Sequence, residues 1–419
     1  MRCSGPVFAL STVSSASSQA LTLEETIKRT QAAHPQFRAY SALQRASKAD
    51  IDTQSLAPPV ILSGEADNFI GNGNYQQATQ AEFTLALTSV IELGGQREAR
   101  RQQALSAYEL SDAQSKAQTL SLLSDATRAF ITTLASQERL ALATESLNLN
   151  EQALAVVDKR HQRGAAPVND RLRAEAAVER ASSTLRQARM QLNDDIYRLT
   201  NYWLTANESR DEIRLAGDLY DTGPIAAEFS QLLTTIDSAL VLEVYASQAR
   251  LAEAGATLAQ AESTGGVDWR LGLTHFADSG DKALSAGVSA PLFSGRRGVS
   301  ANNAARQRSV ASEHQYLSHK REVTQKLHTT WSALKRHSAN VEAYRQKIIP
   351  LLKQAMNEVG QGYAQGRYRY QDWQIAQEEL IEAQHQLITS ATGAQISRTL
   401  IEELTATAVS NQTTQDAPL

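Results

Sequence analysis

Four histidines, which could bind a metal, fall in one stretch of the chain: His314, His319, His328 and His337. Imidazole is a common ligand of divalent metals, and two imidazoles can hold one ion when they stand four residues apart on a helix. Here the spacings are five, nine and nine residues, so no such pair forms on one face. The pattern therefore favours histidines on a helix surface over a metal site.

Other patterns of catalytic or cofactor chemistry are missing from the sequence. It contains no nucleophile motif, phosphate-binding loop, HExxH segment or paired catalytic carboxylates. Cys3 is the single cysteine, which excludes an intrachain disulfide and a cysteine-rich metal site. The formal net charge is −4 with no sustained basic run, which excludes a nucleic-acid partner. We expect a protein that is not an enzyme and that holds no cofactor and no metal site.

Two glycines are each followed, six residues later, by an aspartate: Gly164 by Asp170 and Gly366 by Asp372. Glycine adopts the left-handed conformation that reverses a helix at no steric cost, and an acid in the first turn of the returning helix favours its dipole. Helix capping alone would explain the acids, and any helical hairpin would explain one glycine. The repeated spacing indicates two equivalent helical hairpins.

Long helices must carry these turns. Glycine and proline are absent from residues 96–163, 168–216 and 299–349, which are rich in Ala, Leu, Gln, Arg and Glu. A 60-residue helix is about 90 Å long, which is longer than a compact domain. Apolar residues step by three and four along the first stretch, as in a helix packed on a neighbour. A simple coiled-coil stalk would have the same pattern.

Between the helices, two glycine-rich windows, 64–95 and 265–298, change from a helical period to a period of two. In the first window, Phe83, Leu85, Leu87, Ile91 and Leu93 alternate with Glu82, Thr84, Ala86, Thr88 and Glu92. Polar turns at 71–74 and 278–281 divide each window into strands of about ten residues, the length of a membrane-barrel strand. Each window therefore predicts a β-hairpin, although soluble hairpins have the same alternation.

The chain is duplicated. Residues 93–97 and 293–297 each end a hairpin and begin a long helix, and each copy then continues to its glycine turn. We predict a first repeat at 21–200, a linker at 201–230 and a second repeat at 231–404. Residues 1–20 are expected to be a short signal peptide, and the polar residues 405–419 a disordered tail.

The predicted number of strands per chain indicates that several chains assemble. No window of about 18 apolar residues offers a transmembrane helix, so membrane crossing would require strands. Four strands cannot close a barrel, and open strand edges are not tolerated in lipid. Three chains would supply twelve strands and twelve helices. The predicted fold is mainly α with a β-barrel portion: a homotrimer whose 12-stranded barrel is continued by an α-helical tunnel.

Residues 90–97, Val-Ile-Glu-Leu-Gly-Gly-Gln-Arg, resemble a signature of the cobalt–zinc–cadmium branch of the TolC family of outer-membrane efflux factors. Residues 65–69 and 290–293 are similar to other segments of that branch. Within the signature, the residues at the strand-to-helix transition are Glu92, Leu93, Gly94, Gly95 and Arg97. The sequence departs from the branch at Gln96, where Lys is usual, and in the segment after Phe293.

The resemblance implies a channel in the bacterial outer membrane that contacts outer-membrane lipid and extends into the periplasm. Its helix tips would dock onto a periplasmic adaptor, a membrane fusion protein, and through it reach an inner-membrane pump of the resistance-nodulation-division class. The branch implies export of divalent heavy metals, and multidrug export is the alternative. A periplasmic adaptor or a coiled-coil scaffold would also contain long helices, but the two repeated hairpins favour the channel.

The resemblance also places the channel's aperture at the helix tips. Asp372 is then the candidate for a ring of carboxylates facing the pore, and the latch candidates are Tyr363, Arg367 and Tyr368. Asp170 is expected to contribute less, because its local neighbours at 164–167 include no Tyr or Arg. Some relatives have a second acid where Ile375 stands here, so the predicted ring has one acid per chain.

Overall fold

The protein is an elongated array of helices with one small sheet. Its structure, a computed structural model, describes residues 20–204, 210, 213–223, 228–291 and 295–405. Apart from Ala20 and Thr405, the predicted signal peptide and tail lie outside the described residues, as do residues 292–294.

The first repeat begins with two shorter helices, continues through a hairpin and ends with two long helices. Its elements are α1 Leu23–Ala33, α2 Pro35–Gln54, β1 Ile61–Asp67, β2 Glu82–Glu92, α3 Gln96–Gln162 and α4 Val168–Thr200. Helix α3 has 67 residues, which corresponds to a length of about 100 Å. It starts after Gly95 and ends just before Gly164, so glycine sets both of its ends.

The second repeat has the same order with one difference. Its elements are α5 Phe229–Thr235, α6 Leu240–Glu262, β3 Gly266–Phe276, β4 Lys282–Ser289, α7 Gly295–Ala343, α8 Ile349–Ala364 and α9 Tyr370–Thr405. A π-helical turn, Tyr344–Ile348, joins α7 to α8 and ends two residues before Pro350. Because proline has no N–H to donate, the changed hydrogen-bond pattern of a π turn lets the long helix continue past it.

The four strands form one antiparallel sheet in the order β1-β2-β3-β4. The predicted hairpins are confirmed: β1 pairs with β2, β3 pairs with β4, and β2 joins the two hairpins through β3. The β3–β4 turn is tight, with Phe276 N–H donating to the Asp281 carbonyl oxygen at 3.0 Å. The β1–β2 connection is longer than the predicted turn and contains a 3-10 helix, Gly73–Ala78.

The two faces of the sheet differ in chemistry. On the polar face, Arg270 reaches Glu65 at 2.9 Å, and the hydroxyls of Thr84 and Thr274 lie 2.8 Å apart. The opposite face carries exposed apolar side chains on all four strands: Leu62, Phe83, Leu85, Leu87, Ile91, Leu271, Leu273, Leu284 and Val288. The sheet therefore presents an apolar surface that the described part of the chain leaves uncovered.

The largest core lies midway along the helices. In this core, α3 and α9 pack together through Phe130, Leu134 and Ile388. Leu215, from the segment between the repeats, packs in the same core. Gln137 fixes that segment by accepting from the Leu215 N–H at 3.1 Å and donating to its carbonyl at 3.2 Å. Leu215 also forms a parallel bridge with Leu21. No helix within the described residues is both long and apolar enough to cross a membrane.

Candidate functional site: the hairpin tips and the strand–helix junction

The two helical hairpins end in the same turn. Gly164 has φ +72° and Gly366 has φ +81°, both left-handed. In the first turn, Ala165 N–H donates to the Arg160 carbonyl at 2.8 Å, and in the second Arg367 N–H donates to the Gly362 carbonyl at the same distance. These bonds satisfy carbonyls that the helix end leaves without partners. The repeated glycines therefore lie at equivalent helix reversals.

The two aspartates that follow are not equivalent. Asp372 is the third residue of α9, and its carboxylate accepts from the Arg369 N–H at 3.0 Å, as in a capping box. Asp170 is the third residue of α4, but Pro167 occupies the capping position and has no N–H to donate. Asp372 is thus exposed and caps the start of α9. Asp170 is half-buried and does not cap its helix in this way.

Aromatic side chains join the two tips. The Arg160 guanidinium of α3 lies 4.6 Å from the ring centroid of Tyr363 on α8. The Tyr363 ring is 6.0 Å from that of Tyr370 and 5.6 Å from that of Trp373, both on α9. Tyr363 and Tyr370 are only 2% and 1% exposed, and they share a core with Val157 of α3. We call Arg160, Tyr363, Tyr370 and Trp373 the tip cluster.

Burial also changes the chemistry of the tip tyrosines. Burial raises the pKa of Tyr370 to about 12, with the neighbouring Tyr363 adding to the rise. Burial and the negative charge of Asp170 raise the pKa of Tyr363. Neither hydroxyl has a hydrogen-bond partner among the described residues. Both phenols are therefore held neutral in a largely apolar cluster.

The structure separates the residues predicted for the aperture. Tyr363 is buried in the tip cluster, while Arg367 and Tyr368 are exposed at the turn. The Tyr368 ring lies over Gly362, where a Cβ atom would come within 2.2 Å of it. The Asp170 carboxylate is close enough to Tyr363 for its charge to raise the pKa of that tyrosine. The turn before Asp170 has no tyrosine of its own, so its tyrosine neighbour comes from the other hairpin.

Sequence analysis missed three members of the tip cluster: Arg160, Tyr370 and Trp373. Arg160 stands four residues before Gly164, and Tyr370 stands four residues after Gly366. Their nearness to the predicted turns is a signal that could have marked them as tip residues. The pattern within one repeat could not show which side chains of the other repeat they contact.

The predicted strand–helix signature forms a tight junction. Glu92, the last residue of β2, makes a two-pronged ion pair with Arg100 of α3, whose Nη2 is 3.0 Å from Glu92 Oε2. Gly94 has φ +68°, and a Cβ atom there would lie 2.1 Å from the Thr264 hydroxyl oxygen. The Thr264 hydroxyl donates to the Ala261 carbonyl at 2.6 Å, and its oxygen lies 3.3 Å from the Leu93 carbonyl oxygen. Close contact with the second repeat therefore requires glycine at position 94.

Two side chains attach the junction to its surroundings. Gln96 donates to the Gly265 carbonyl at 2.8 Å, at the turn between α6 and β3. Arg97 donates to the Ser55 carbonyl at the end of α2. The residue that departs from the branch signature, Gln96, thus connects the two repeats through a neutral hydrogen bond.

The four histidines of α7 do not converge. His314 is exposed, His319 stacks on Tyr245 at 3.7 Å between ring centroids, and His328 meets the edge of Phe229 at 5.0 Å. His337 is half-buried against Gly393, and burial together with Arg336 lowers its pKa. No group of three or more His, Cys, Asp or Glu side chains could hold a metal ion within the described part of the chain.

Comparison with known proteins gives matches in sequence. Residues 26–203 match the family model of the outer membrane efflux proteins. The chain is 25% identical over 304 residues to the cobalt-zinc-cadmium resistance protein CzcC of Cupriavidus metallidurans, which covers 72% of this chain and 71% of that protein. The predicted branch resemblance agrees with this match.

Solved structures match over almost the whole chain. The outer membrane protein VceC of Vibrio cholerae aligns with a TM-score of 0.77 at 17% identity, over 93% of this chain and 97% of that one. CusC aligns with a TM-score of 0.76 at 15% identity, over 91% of both chains. A membrane protein of Pseudomonas aeruginosa aligns with a TM-score of 0.75 at 16% identity, over 96% and 99%.

The sequence match agrees with the family resemblance predicted from the sequence, and the solved structures confirm the mainly helical fold class. Proteins of this family are transport ducts rather than enzymes. The first repeat matches the family model, and the chain as a whole has the fold of the solved channels. Residues 26–203 are thus similar to the outer membrane efflux proteins, and the chain as a whole shares the fold of the solved structures.

Proposed function

We propose that this protein is the outer-membrane channel of a tripartite efflux system, a passive exit duct for divalent heavy-metal cations. The main supporting observation is the combination of a sheet that is apolar on one face with a helix, α3, of about 100 Å. Such a chain can cross a membrane through its strands and extend far below it through its helices. Energy and cargo selection would come from the partner pump.

The proposed assembly is a homotrimer. In the described residues, β1 and β4 are each paired along one side, which leaves one edge of each strand free. Free edges in lipid leave N–H and C=O groups without partners at a cost of several kcal/mol each, so they favour pairing with another chain. Three copies give a barrel of twelve strands, with α3, α4, α7–α8 and α9 of each copy forming the tunnel wall.

The proposed docking partner is a periplasmic adaptor, held at the hairpin tips and joined to a pump of the resistance-nodulation-division class. The tips lie at the far end of the helices from the sheet, which is where an adaptor could reach them. Exposed apolar side chains near the turns, Val168, Leu172, Tyr368 and Ile375, offer it a contact surface.

The proposed cargo follows the relative named for cobalt, zinc and cadmium resistance. Gene deletion tests this assignment, with complementation by the full-length gene as the control. We expect the deletion to sensitise cells to zinc, cobalt and cadmium and complementation to restore tolerance. Unchanged metal tolerance with lost drug tolerance would contradict the metal assignment and favour the multidrug alternative.

The proposed aperture depends on Asp372. If the tips of three chains meet, three carboxylates come close to one axis and attract cations into the narrow opening. Asp372→Asn should reduce cation selectivity and block by multivalent cations, since Asn removes the charge and its side-chain oxygen can still accept from Arg369. Asp170→Asn is the matched control and should have the smaller effect. Single-channel recordings in which Asp372→Asn changes neither property would contradict the aperture role.

A further inference from the structure

At the outer rim of the sheet, acidic and basic residues lie on opposite faces. Residues paired across the strands point to the same face, and the rim lies at the sheet end remote from the helices. On the polar face of this rim, Asp67 pairs with Glu82. On the apolar face, His275 pairs with Lys282. The two acidic residues and the two basic residues of the rim thus lie on opposite faces of the sheet.

The two basic residues lie at the end of the apolar surface of the sheet. Directly next to them along the strands, Leu273 pairs with Leu284, and Leu271 pairs with Ala286. Leu284 is 86% exposed, so the surface is uncovered immediately beside Lys282. At the other end of the same face, Trp269 pairs with Val288. Tryptophan is enriched where a membrane surface meets water, so the face has an interfacial residue at each end.

Lys282 is available for an external ligand. Its side chain is exposed and makes no ion pair with any carboxylate in the described part of the chain. His275 is held beside it, since its Nδ1 lies 3.2 Å from the Asp281 carbonyl oxygen, which accepts. The nearby Asp278 carboxylate accepts from the Ser279 N–H at 2.7 Å within the turn.

We propose that Lys282, supported by His275, binds the phosphate of an anionic lipid in the outer leaflet of the membrane. A lysine beside an apolar surface extends its ammonium to the level of the headgroups, where it can donate to phosphate oxygens. The lipid's acyl chains would lie on Leu273 and Leu284. This inference rests on the proposed function, because that proposal sets the apolar face against lipid.

The test measures lipid retained by the full-length purified protein in native mass spectrometry. Bisphosphorylated lipid A is the probe, and monophosphoryl lipid A and phosphatidylcholine are the comparisons. Lys282→Gln should lower retention of bisphosphorylated lipid A by about fivefold, and Lys282→Arg should restore most of it. The matched control is Lys353→Gln, which changes an exposed lysine of α8 far from the sheet and should leave retention unchanged.

Two results would overturn the inference. Equal retention by the wild type and Lys282→Gln would show that Lys282 does not select the phosphate. Displacement of the lipid by excess inorganic phosphate would show a small-anion site rather than a lipid site. Single-channel conductance of the same preparations separates these failures from failure of the proposed channel, because Lys282→Gln should conduct as the wild type does.

Discussion

At the residue scale, Arg160 of the first repeat contacts Tyr363 of the second. Its guanidinium lies over the Tyr363 ring of the other hairpin, and such a contact is worth about 2 kcal/mol when desolvated. Arg160→Gln removes the cation, so we expect the tips to separate about thirtyfold more often. Chymotrypsin cleavage after the exposed Tyr368 should accelerate by a similar factor.

Arg163 provides the matched control for this prediction. It is an exposed arginine at the end of the same helix, so Arg163→Gln removes the same charge from the same turn without touching Tyr363. Equal acceleration by the two variants would assign the effect to net charge and would contradict a specific contact between the tips.

The raised pKa of Tyr370 predicts a loss of stability in alkali. A folded-state pKa of about 12 lies above the usual value of 10, so the folded tip binds the phenol proton more tightly than the unfolded chain does. Its contribution is complete below pH 10 and is lost as the pH rises toward 12. Tyr370→Phe should remove this loss without destabilising the tip at neutral pH, because the hydroxyl has no partner in the described residues.

A spectroscopic titration of tyrosine checks the prediction. The wild type should show a phenol that ionises near pH 12 and is absent from Tyr370→Phe. Tyr368→Phe, at the exposed face of the same turn, should retain it. Loss of folding by Tyr370→Phe at neutral pH would show that the hydroxyl has a structural role.

At the scale of elements, two adjacent glycines of the strand–helix junction differ in the space available for a side chain. Gly94 and Gly95 both have positive φ, but a Cβ atom at position 95 meets nothing within 4 Å. Gly95→Ala should therefore cost about 1–2 kcal/mol from backbone conformation alone. Gly94→Ala should cost about 1–3 kcal/mol more, because it also collides with Thr264.

Thermal unfolding followed by circular dichroism ranks the two variants. Thr264→Ala should recover part of the loss in Gly94→Ala and none of the loss in Gly95→Ala. Equal melting temperatures for the two single variants would show that contact between the repeats does not constrain the junction.

Sequence patterns predicted the elements well where glycine marks their ends. The helix predicted between Gly95 and Gly164 is α3, Gln96–Gln162, and period-two alternation identified both hairpins. The π turn at Tyr344–Ile348 was not predicted, because nothing in helical periodicity distinguishes it from the α-helix on either side. The partners of Arg160 and Gln96 lie in the other repeat, so the pattern within one repeat could not show them.

At the scale of the whole molecule, the duplicated halves are joined at three levels. The sheet pairs β2 with β3, the midway core brings α3 to α9, and the tip cluster joins α3 to α8 and α9. Among the described residues, the outer edges of β1 and β4 and the apolar face of the sheet are uncovered. Within the described residues, the two repeats thus contact each other at the sheet, at the midway core and at the tips.

The central claim, a channel in the outer membrane, is tested most directly by reconstitution of the full-length protein into planar lipid bilayers. We predict that the protein fractionates with the outer membrane as a trimer that dissociates on heating. Added to a bilayer, it should produce discrete, cation-favouring conductance steps. Recovery as a soluble monomer that gives no conductance steps would contradict the account.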